Sequence, residues 1–279
     1  MQDQRITFTS RAKYGPKGKE DWAFPPDVPS LTSGEVHVWK ARLDANANER
    51  VCHLLSDDEL GRARRFRFDE DRQHFTCARG LLRVVLGYYT DADPRQVSLS
   101  YGLYGKPVLS AAFGSDGLRF NVSHSRDLAL VAITRGREAG VDVEYVSPRA
   151  VDDSLTARFF SERESDAIRC VQKEDRAAAF FSCWTLKEAY LKARGDGLAV
   201  RLNEFEVSLT LGASAAIVSH TREPEEVSRW SLRTLSPAPG YRAALVVEGH
   251  GWQLSCWQVT EEMLCKWSPQ GGAMQVEPS

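Results

Sequence analysis

The chain has 279 residues, of which 42% are hydrophobic and 27% are charged, and its formal net charge is −2. This balance is typical of a globular protein with room for two small domains, and it gives no electrostatic reason to expect nucleic acid or a membrane as a partner. No apolar run approaches the ~20 residues that cross a bilayer, and the N-terminus lacks a signal-peptide core, so we expect a cytoplasmic protein.

The first predicted elements lie in the N-terminal half of the chain. Residues 1–34 are polar and show no sustained period, which is typical of a loose arm. Residues 35–43 alternate well enough for a strand, and ordered structure is expected to begin at Glu35. Ser56 has the form of a helix N-cap before an acidic first turn, and residues 69–89 are predicted to form a long helix.

Two polar motifs follow this helix. Tyr104-Gly105-Lys106-Pro107 exposes a lysine at a glycine turn, although such a turn is also an ordinary strand entry. Phe120-Asn121-Val122-Ser123-His124-Ser125 runs from an apolar strand end into hydroxyl and imidazole groups that suit phosphate oxygens. A hydrogen-bonded loop is the alternative for the second motif.

Paired carboxylates come next. Residues 128–133 and the segment Gly140-Val141-Asp142-Val143-Glu144 are predicted to form the two strands of a hairpin. Residues two apart on a strand share a face, so Asp142 and Glu144 are expected to point the same way. Two carboxylates on one face repel each other unless a cation lies between them, and the pattern therefore indicates a cation site.

A third carboxylate lies on a predicted helix. Residues 184–192 have the sequence Trp-Thr-Leu-Lys-Glu-Ala-Tyr-Leu-Lys, and Gly195 with Gly197 predicts a tight turn after the helix. Glu188 and Lys192 would lie one turn apart on the same face. An exposed ion pair is the alternative for these two residues taken alone.

The chain also resembles itself. An Arg-Phe pair followed by Phe-x-Cys occurs in each half and precedes or begins a long helix, and an apolar stretch closes each half. We predict a duplication, with the coincidence of short apolar matches as the alternative. The matching segments are 65–66 with 75–77 and 158–159 with 181–183, and then 128–132 and 243–247.

These motifs occur in one order that resembles the 4′-phosphopantetheinyl transferases of the surfactin-synthetase-activator type, over roughly residues 35–248. The resemblance implies an α/β (α+β) fold of pseudo-twofold duplicated subdomains, with the active site in the cleft between them. Asp142 and Glu144 would come from one side of the cleft, and Glu188 and Lys192 from the other. The expected organisation is an arm at 1–34, halves at 35–144 and 145–248, and an extension of unassigned role at 249–279.

The resemblance implies a reaction as well. The 4′-phosphopantetheine group of coenzyme A would pass to a serine hydroxyl of an apo acyl or peptidyl carrier protein, leaving adenosine 3′,5′-bisphosphate. Mg²⁺, or Mn²⁺ in its place, would be the metal, because its preferred ligands are oxygens. The implied metal ligands are Asp142, Glu144 and Glu188, and the implied catalytic residues are Glu188, Lys192 and Glu164.

Coenzyme A binding is implied for a further set of residues. Lys106 and Pro107 would contact adenine, His124 would lie near the 3′-phosphate, and Arg62 would hold phosphate oxygens. Arg79 is a weaker assignment, for which a surface arginine is the alternative, and Glu59 stands where some relatives carry a basic residue. The full set is Arg62, Arg79, Lys106, Pro107, Ser123, His124, Lys187 and Lys192.

Several points stay open from the sequence. Glu164 would be the general base, but it also suits the first turn of a helix capped by Ser161, and a metal-bound water or Glu188 are rivals for the base. The carrier could serve fatty-acid, polyketide or nonribosomal-peptide synthesis, and Phe159, Phe160 and the region near Ile168 are candidates for its docking surface, with core packing as the alternative. The size and the repeat favour a monomer.

Other function classes explain less of the sequence. A non-catalytic coenzyme A or carrier-binding module leaves the three carboxylates unexplained. Another Mg²⁺-dependent phosphotransferase leaves Gly-Lys-Pro and Ser-His-Ser unexplained, and the sequence has no Gly-x-x-x-x-Gly-Lys-Ser/Thr loop. The six cysteines lack a Cys-x-x-Cys spacing, which argues against a zinc site or a disulfide framework.

Overall fold

The structure is a computed structural model that describes residues 20–26, 30–102, 104–113, 116–147, 153–195, 197, 200–208 and 215–267. Its strands are β1 (Trp22–Ala23), β2 (Glu35–Arg42), β3 (Leu99–Tyr101), β4 (Pro107–Leu109), β5 (Leu118–Ser125), β6 (Leu128–Arg135), β7 (Ala139–Tyr145), β8 (Phe205–Val207), β9 (Ile217–His220), β10 (Trp230–Leu235), β11 (Tyr241–Glu248) and β12 (Gln253–Gln258). Its helices are α1 (Ala45–Val51), α2 (Asp57–Ala63), α3 (Asp69–Thr90), α4 (Asp153–Phe159), α5 (Glu162–Arg169), α6 (Arg176–Arg194), α7 (Glu226–Arg229) and α8 (Glu261–Cys265).

The chain divides into two compact units. The described residues of the first, here called the N-terminal unit, lie within 22–100, 108–136 and 253–267. Its five-stranded sheet has the order β1-β12-β2-β6-β5, in which β2, β6 and β5 are antiparallel and β12 runs parallel to both β1 and β2. The apolar face of α3 packs in one core with this sheet, through Leu81, Leu82, Val85 and Leu86. The predicted strand at 35–43 and helix at 69–89 are confirmed as β2 and α3.

Both ends of the chain contribute to this sheet. Strand β12 lies between β1 and β2. Part of the extension at 249–279, to which no role was assigned from the sequence, thus forms an interior strand of this sheet. The prediction that order begins at Glu35 is wrong, because Trp22 and Ala23 already pair with Cys256 and Trp257. A two-residue strand whose partner lies near the other end of the chain leaves no local period for the sequence to show. Residues 1–19 of the predicted arm lie outside the described residues.

The described residues of the second unit, the C-terminal unit, lie within 20–21, 101–107 and 137–252. Its main sheet is antiparallel with the order β10-β11-β7, and β8 pairs with β9 in a separate two-stranded sheet. Helix α6 shares a hydrophobic core with these strands, to which it contributes Phe180, Cys183, Leu186, Tyr190 and Leu191. The docking candidates Phe160 and Ile168 are buried in the same core and Phe159 is partly buried against it, as the packing alternative predicted.

The position of β7 differs from the prediction. The hairpin of 128–133 with 140–144 is wrong, because β6 pairs with β2 and β5 whereas β7 pairs with β11. The boundary between the units falls at residues 136 and 137, and not at the predicted 144 and 145. Asp142 and Glu144 therefore belong to the same unit as Glu188 and Lys192, and the expectation that they come from opposite halves is wrong.

The α/β (α+β) fold class is confirmed. Each unit combines one long helix with a sheet, which is mixed in the N-terminal unit and antiparallel in the C-terminal unit. The two apolar segments that the sequence matched, 128–132 and 243–247, lie in the interior strands β6 and β11. None of the helices in the described ranges combines the length and apolar character that a membrane crossing requires.

Candidate active site

The close contact of helix α6 with strand β7 organises the carboxylates. A Cβ atom at Gly140 would overlap the carbonyl oxygen of Ala189 and the backbone nitrogen of Ala193, and it would lie 3.0 Å from the Cα atom of Ala193. Only glycine leaves room for a helix backbone at this distance. The first residue of the Gly-Val-Asp-Val-Glu motif thus brings α6 onto β7.

Asp142 and Lys192 meet across this contact. The Nζ atom of Lys192 donates to Oδ1 of Asp142 at 2.6 Å, and Asp142 is buried. Glu188, one turn before Lys192, is half-buried. The surface Glu–Lys pair that spacing alone allowed is therefore wrong, since the ion pair of Lys192 is made with the neighbouring strand.

The charges at this point favour a further cation. Burial raises the pKa of Glu188, and the negative charge of Asp142 raises it further, while Lys192 acts in the opposite direction. Glu144 lies two residues after Asp142 on β7 and faces Arg242 of β11 in the strand register. The donor set is made of carboxylate oxygens, which suit Mg²⁺. Among the described residues, however, no group of three His, Cys, Asp or Glu side chains is already arranged to hold a metal.

A buried network fixes α6 two residues on either side of Lys192. The hydroxyl of Tyr190 donates to Glu226 at 2.8 Å and accepts from Arg194 at 3.1 Å, and Trp230 donates to Glu226 at 2.6 Å. Burial raises the pKa of Glu226, but hydrogen bonds from Trp230, Tyr190 and Arg229 outweigh it and hold that pKa below its ordinary value. Sequence reasoning missed this network, because Glu226 lies in an unremarkable polar stretch.

Lys106 supports the end of the same helix. Its ammonium group lies 3.1 Å from Oε2 of Glu138 and donates to the carbonyl oxygen of Ala193 at 3.1 Å. A cation at a helix C-terminus is favourable because of the helix dipole. Gly195 ends α6 with a positive φ of 77°, which confirms the predicted tight turn. Pro107, the next residue after Lys106, begins β4.

Glu164 and Lys187 form a second, fully buried pair. The two charged groups lie 2.9 Å apart and neither side chain is exposed. Glu164 completes a capping box with Ser161 at the start of α5 and accepts a hydrogen bond from the backbone of Val207 at 2.8 Å. The capping role that the sequence offered as an alternative is confirmed, and the role as general base stays a prediction.

The phosphate contact predicted for Lys187 requires a correction. Its ammonium group also donates to the carbonyl oxygens of Leu202, at 2.7 Å, and of Phe205. An ammonium has three donors, so these two carbonyls and Glu164 satisfy all of them inside the core. The sequence does not show that Lys187 is buried and its neighbour Glu188 is not. Both residues are charged, and adjacent positions on a helix point in different directions.

In the N-terminal unit, Arg62 and Arg79 lie around one ring. Their guanidinium groups are 5.9 and 5.6 Å from the ring centroid of Phe75. Arg62 is exposed, whereas Arg79 is buried, so the alternative of a surface arginine at 79 is wrong. Glu59 does not stand open to a phosphate, because it is buried, binds Arg83 at 2.6 Å and lies 3.6 Å from Arg79.

The Ser-His-Ser motif lies within strand β5, and the turn follows it. Ser123 is buried and His124 is exposed, as alternation along a strand requires. Arg126, in the turn after β5, has a positive φ of 49°. Of the two side chains assigned to the nucleotide, only His124 is therefore open to solvent.

Both units match family models of known proteins. The family model described as "4'-phosphopantetheinyl transferase superfamily" matches residues 138–246, and the one described as "4'-phosphopantetheinyl transferase, N-terminal" matches residues 39–135. The two matches meet where the structural units divide. The 4′-phosphopantetheinyl transferase HetI of Nostoc sp. is 43% identical over 84% of this chain and 95% of its own length. The 4′-phosphopantetheinyl transferase Sfp of Bacillus subtilis is 27% identical over 73% of this chain and 86% of its own length.

Proposed function

The chain belongs to the 4′-phosphopantetheinyl transferase superfamily, and from this premise we propose that it moves the 4′-phosphopantetheine group of coenzyme A to a serine hydroxyl of an apo carrier protein. The reaction breaks the pyrophosphate of coenzyme A and forms a phosphodiester with the serine oxygen. The holo-carrier protein and adenosine 3′,5′-bisphosphate are the products. The observation that carries the proposal is the cluster of Asp142, Glu188 and Lys192 at the contact of β7 with α6.

Asp142, Glu144 and Glu188 would hold Mg²⁺ in this reaction. Their oxygen ligands and the two like charges at Asp142 and Glu188 support this assignment. When bound, the ion supplies positive charge beside the pyrophosphate oxygens. Gly140 serves the site by letting Glu188 approach Asp142.

Lys192 would act on the charge that develops during transfer. Its ammonium group is held at Asp142, so it would place a fixed positive charge beside the proposed metal ligands. Phosphoryl transfer depends mostly on preorganised positive charge and correct positioning, because the protein has little covalent chemistry to perform. The Tyr190–Glu226–Arg194 network supports this role by anchoring α6 on both sides of Lys192.

The coenzyme A assignments differ in their support. In the N-terminal unit, exposed Arg62 and exposed His124 carry groups suited to phosphate oxygens. Arg79 and Ser123 are buried and would act by holding these elements in place. In the C-terminal unit, Lys106 stays a proposed adenine contact together with Pro107.

The serine proton requires an acceptor. Both oxygens of Glu164 already accept hydrogen bonds, one from Ser161 and one from Val207, and the carboxylate is fully buried beside Lys187. This geometry favours Glu188 over Glu164 as the base, because Glu188 is only half-buried whereas Glu164 is fully buried with both oxygens engaged.

Intact-mass spectrometry of apo carrier proteins tests the proposal. Acyl and peptidyl carriers would each be incubated with the protein and coenzyme A, with Mg²⁺ or with a chelator in excess. We expect at least one carrier to gain the mass of one phosphopantetheine group, and to gain it only with the metal. Transfer in the chelated reaction would contradict the metal assignment, and no transfer to any carrier would contradict the function.

A further inference from the structure

A cavity of about 480 Å³ lies in the N-terminal unit. It is lined by the C-terminal end of α3 and by the residues directly after α8, among them Gly87, Tyr88, Asp91, Asp93, Lys266 and Trp267. None of the residues assigned above to phosphopantetheine transfer is among its described lining.

Two aromatic rings in this lining already hold an ammonium group. The Nζ atom of Lys266 lies 5.3 Å from the ring centroid of Tyr88 and 5.2 Å from that of Trp267. A cation within about 6 Å of an aromatic face is attracted by the ring quadrupole. Lys266 is exposed, so its flexible stem lets the ammonium leave for water.

The surrounding charge also favours a cation. Asp91 is exposed and ends the 22-residue helix α3, whose C-terminus carries partial negative charge. Asp93 binds Arg95 at 2.6 Å, and Arg135 is paired with Asp116, so these two lining charges are balanced by neighbours. What remains at the cavity is the carboxylate of Asp91, the helix end and the ammonium of Lys266.

We propose that this cavity binds a small organic cation with an alkylammonium group, and that Lys266 occupies the aromatic pair when no ligand is present. The position of Lys266 shows that an ammonium can lie within cation–π distance of Tyr88 and Trp267 at the same time. A ligand would exchange places with it, and the cavity volume leaves room for substituents larger than the lysine head. Choline, a quaternary ammonium, and spermidine, a polyamine, represent the two forms of this chemistry.

Calorimetric titration of the full chain with choline chloride or spermidine tests the proposal, at constant ionic strength. We expect saturable binding of at least one probe. Lys266→Ala should bind it about fivefold more tightly, because the competing ammonium is gone, and Tyr88→Leu should bind it about fivefold more weakly. Lys40→Ala is the matched control, since Lys40 lies over Trp22 at 4.9 Å in the same unit but outside the cavity. The Lys40→Ala protein should bind the probe with the same affinity as the unaltered protein.

Three results would overturn this assignment. The first is the absence of saturable binding in both the unaltered protein and Lys266→Ala. The second is weaker binding after Lys266→Ala, which would show that the ligand contacts Lys266 instead of replacing it. The third is equal affinity in Tyr88→Leu, with a thermal unfolding transition confirming that this variant is folded.

Discussion

Two charge pairs built from one helix have different environments. Lys187 binds Glu164 with neither side chain exposed, whereas Lys192 binds Asp142 with its own side chain 30% exposed. Glu188 follows Lys187 directly, yet burial and the negative charge of Asp142 raise its pKa. Both lysines lie on α6, but they point in different directions around the helix. Lys187 therefore forms an ion pair in the core, whereas Lys192 lies where a substrate can reach it.

At the Glu164–Lys187 pair, we expect Glu164→Gln or Lys187→Met alone to lower the free energy of unfolding by about 3–5 kcal/mol, because each leaves a charge buried without its partner. The double variant should lose less than the sum of the two. Urea denaturation measures all three. A Glu164→Gln protein with unchanged stability but no transfer would contradict this structural role and favour the general base.

The acid stability of the C-terminal unit should depend on Glu226. Its folded-state pKa is lowered from the ordinary 4.5, so its contribution to stability is present above pH 4.5 and is lost as the pH falls through the folded-state pKa. We expect Glu226→Gln to lose about 1–3 kcal/mol at neutral pH and to show a shallower decline below pH 4.5. Thermal unfolding across this range would contradict the account if both proteins declined in parallel.

At the scale of elements, each unit uses the glutamate of a capping box to bind its long helix. Ser56 with Glu59 caps α2, and Glu59 binds Arg83 of the long helix α3. In the other unit the capping box of α5 supplies a glutamate that binds the long helix α6 in the same way. The duplication is supported by this match, but in a different register from the one the sequence indicated. Arg-Phe follows α2 in one unit and precedes α5 in the other, so the short Arg-Phe match paired segments that are not equivalent.

The contact of α6 with β7 can be tested at Gly140. We expect Gly140→Ala to cost about 1–3 kcal/mol or more and to reduce transfer sharply, because the added Cβ overlaps the backbone of α6. Gly61→Ala is the matched control, since Gly61 lies in α2 with nothing within 4 Å of a Cβ, and alanine favours a helix. Denaturation and transfer assays compare them, and equal behaviour would contradict a tight contact.

At the scale of the whole molecule, the features that the sequence did not predict are the pairings between strands that are distant along the chain. The local strand β2, the helix α3 and the tight turn after α6 were predicted, because period and glycine act within a few residues. The places of β7 and β12 were not, because alternation marks a strand but does not name its partner. The three carboxylates were assigned from motifs, and their role as metal ligands stays a prediction. The buried carbonyl partners of Lys187, on Leu202 and Phe205, carry no signal in the sequence.

Helix α8, which follows β12, should contribute to the stability of the N-terminal unit. Leu264 of α8 is buried in its core, and we expect Leu264→Ala to lower the free energy of unfolding by about 2–5 kcal/mol. Glu262→Ala, an exposed position on the same helix, should change it by less than about 0.5 kcal/mol. Similar losses in both variants, measured by urea denaturation, would contradict the packing of α8.

The most direct test of the account compares Asp142→Asn with Asp166→Asn in the carrier mass assay. Asp142 binds Lys192 in the candidate site, whereas Asp166 forms an exposed ion pair with Arg169 on α5 of the same unit. We predict that Asp142→Asn loses transfer by at least a hundredfold, as loss of one preorganised charge contact typically does, while Asp166→Asn keeps it. Full transfer by a folded Asp142→Asn protein would contradict the assignment of the β7–α6 cluster as the active site.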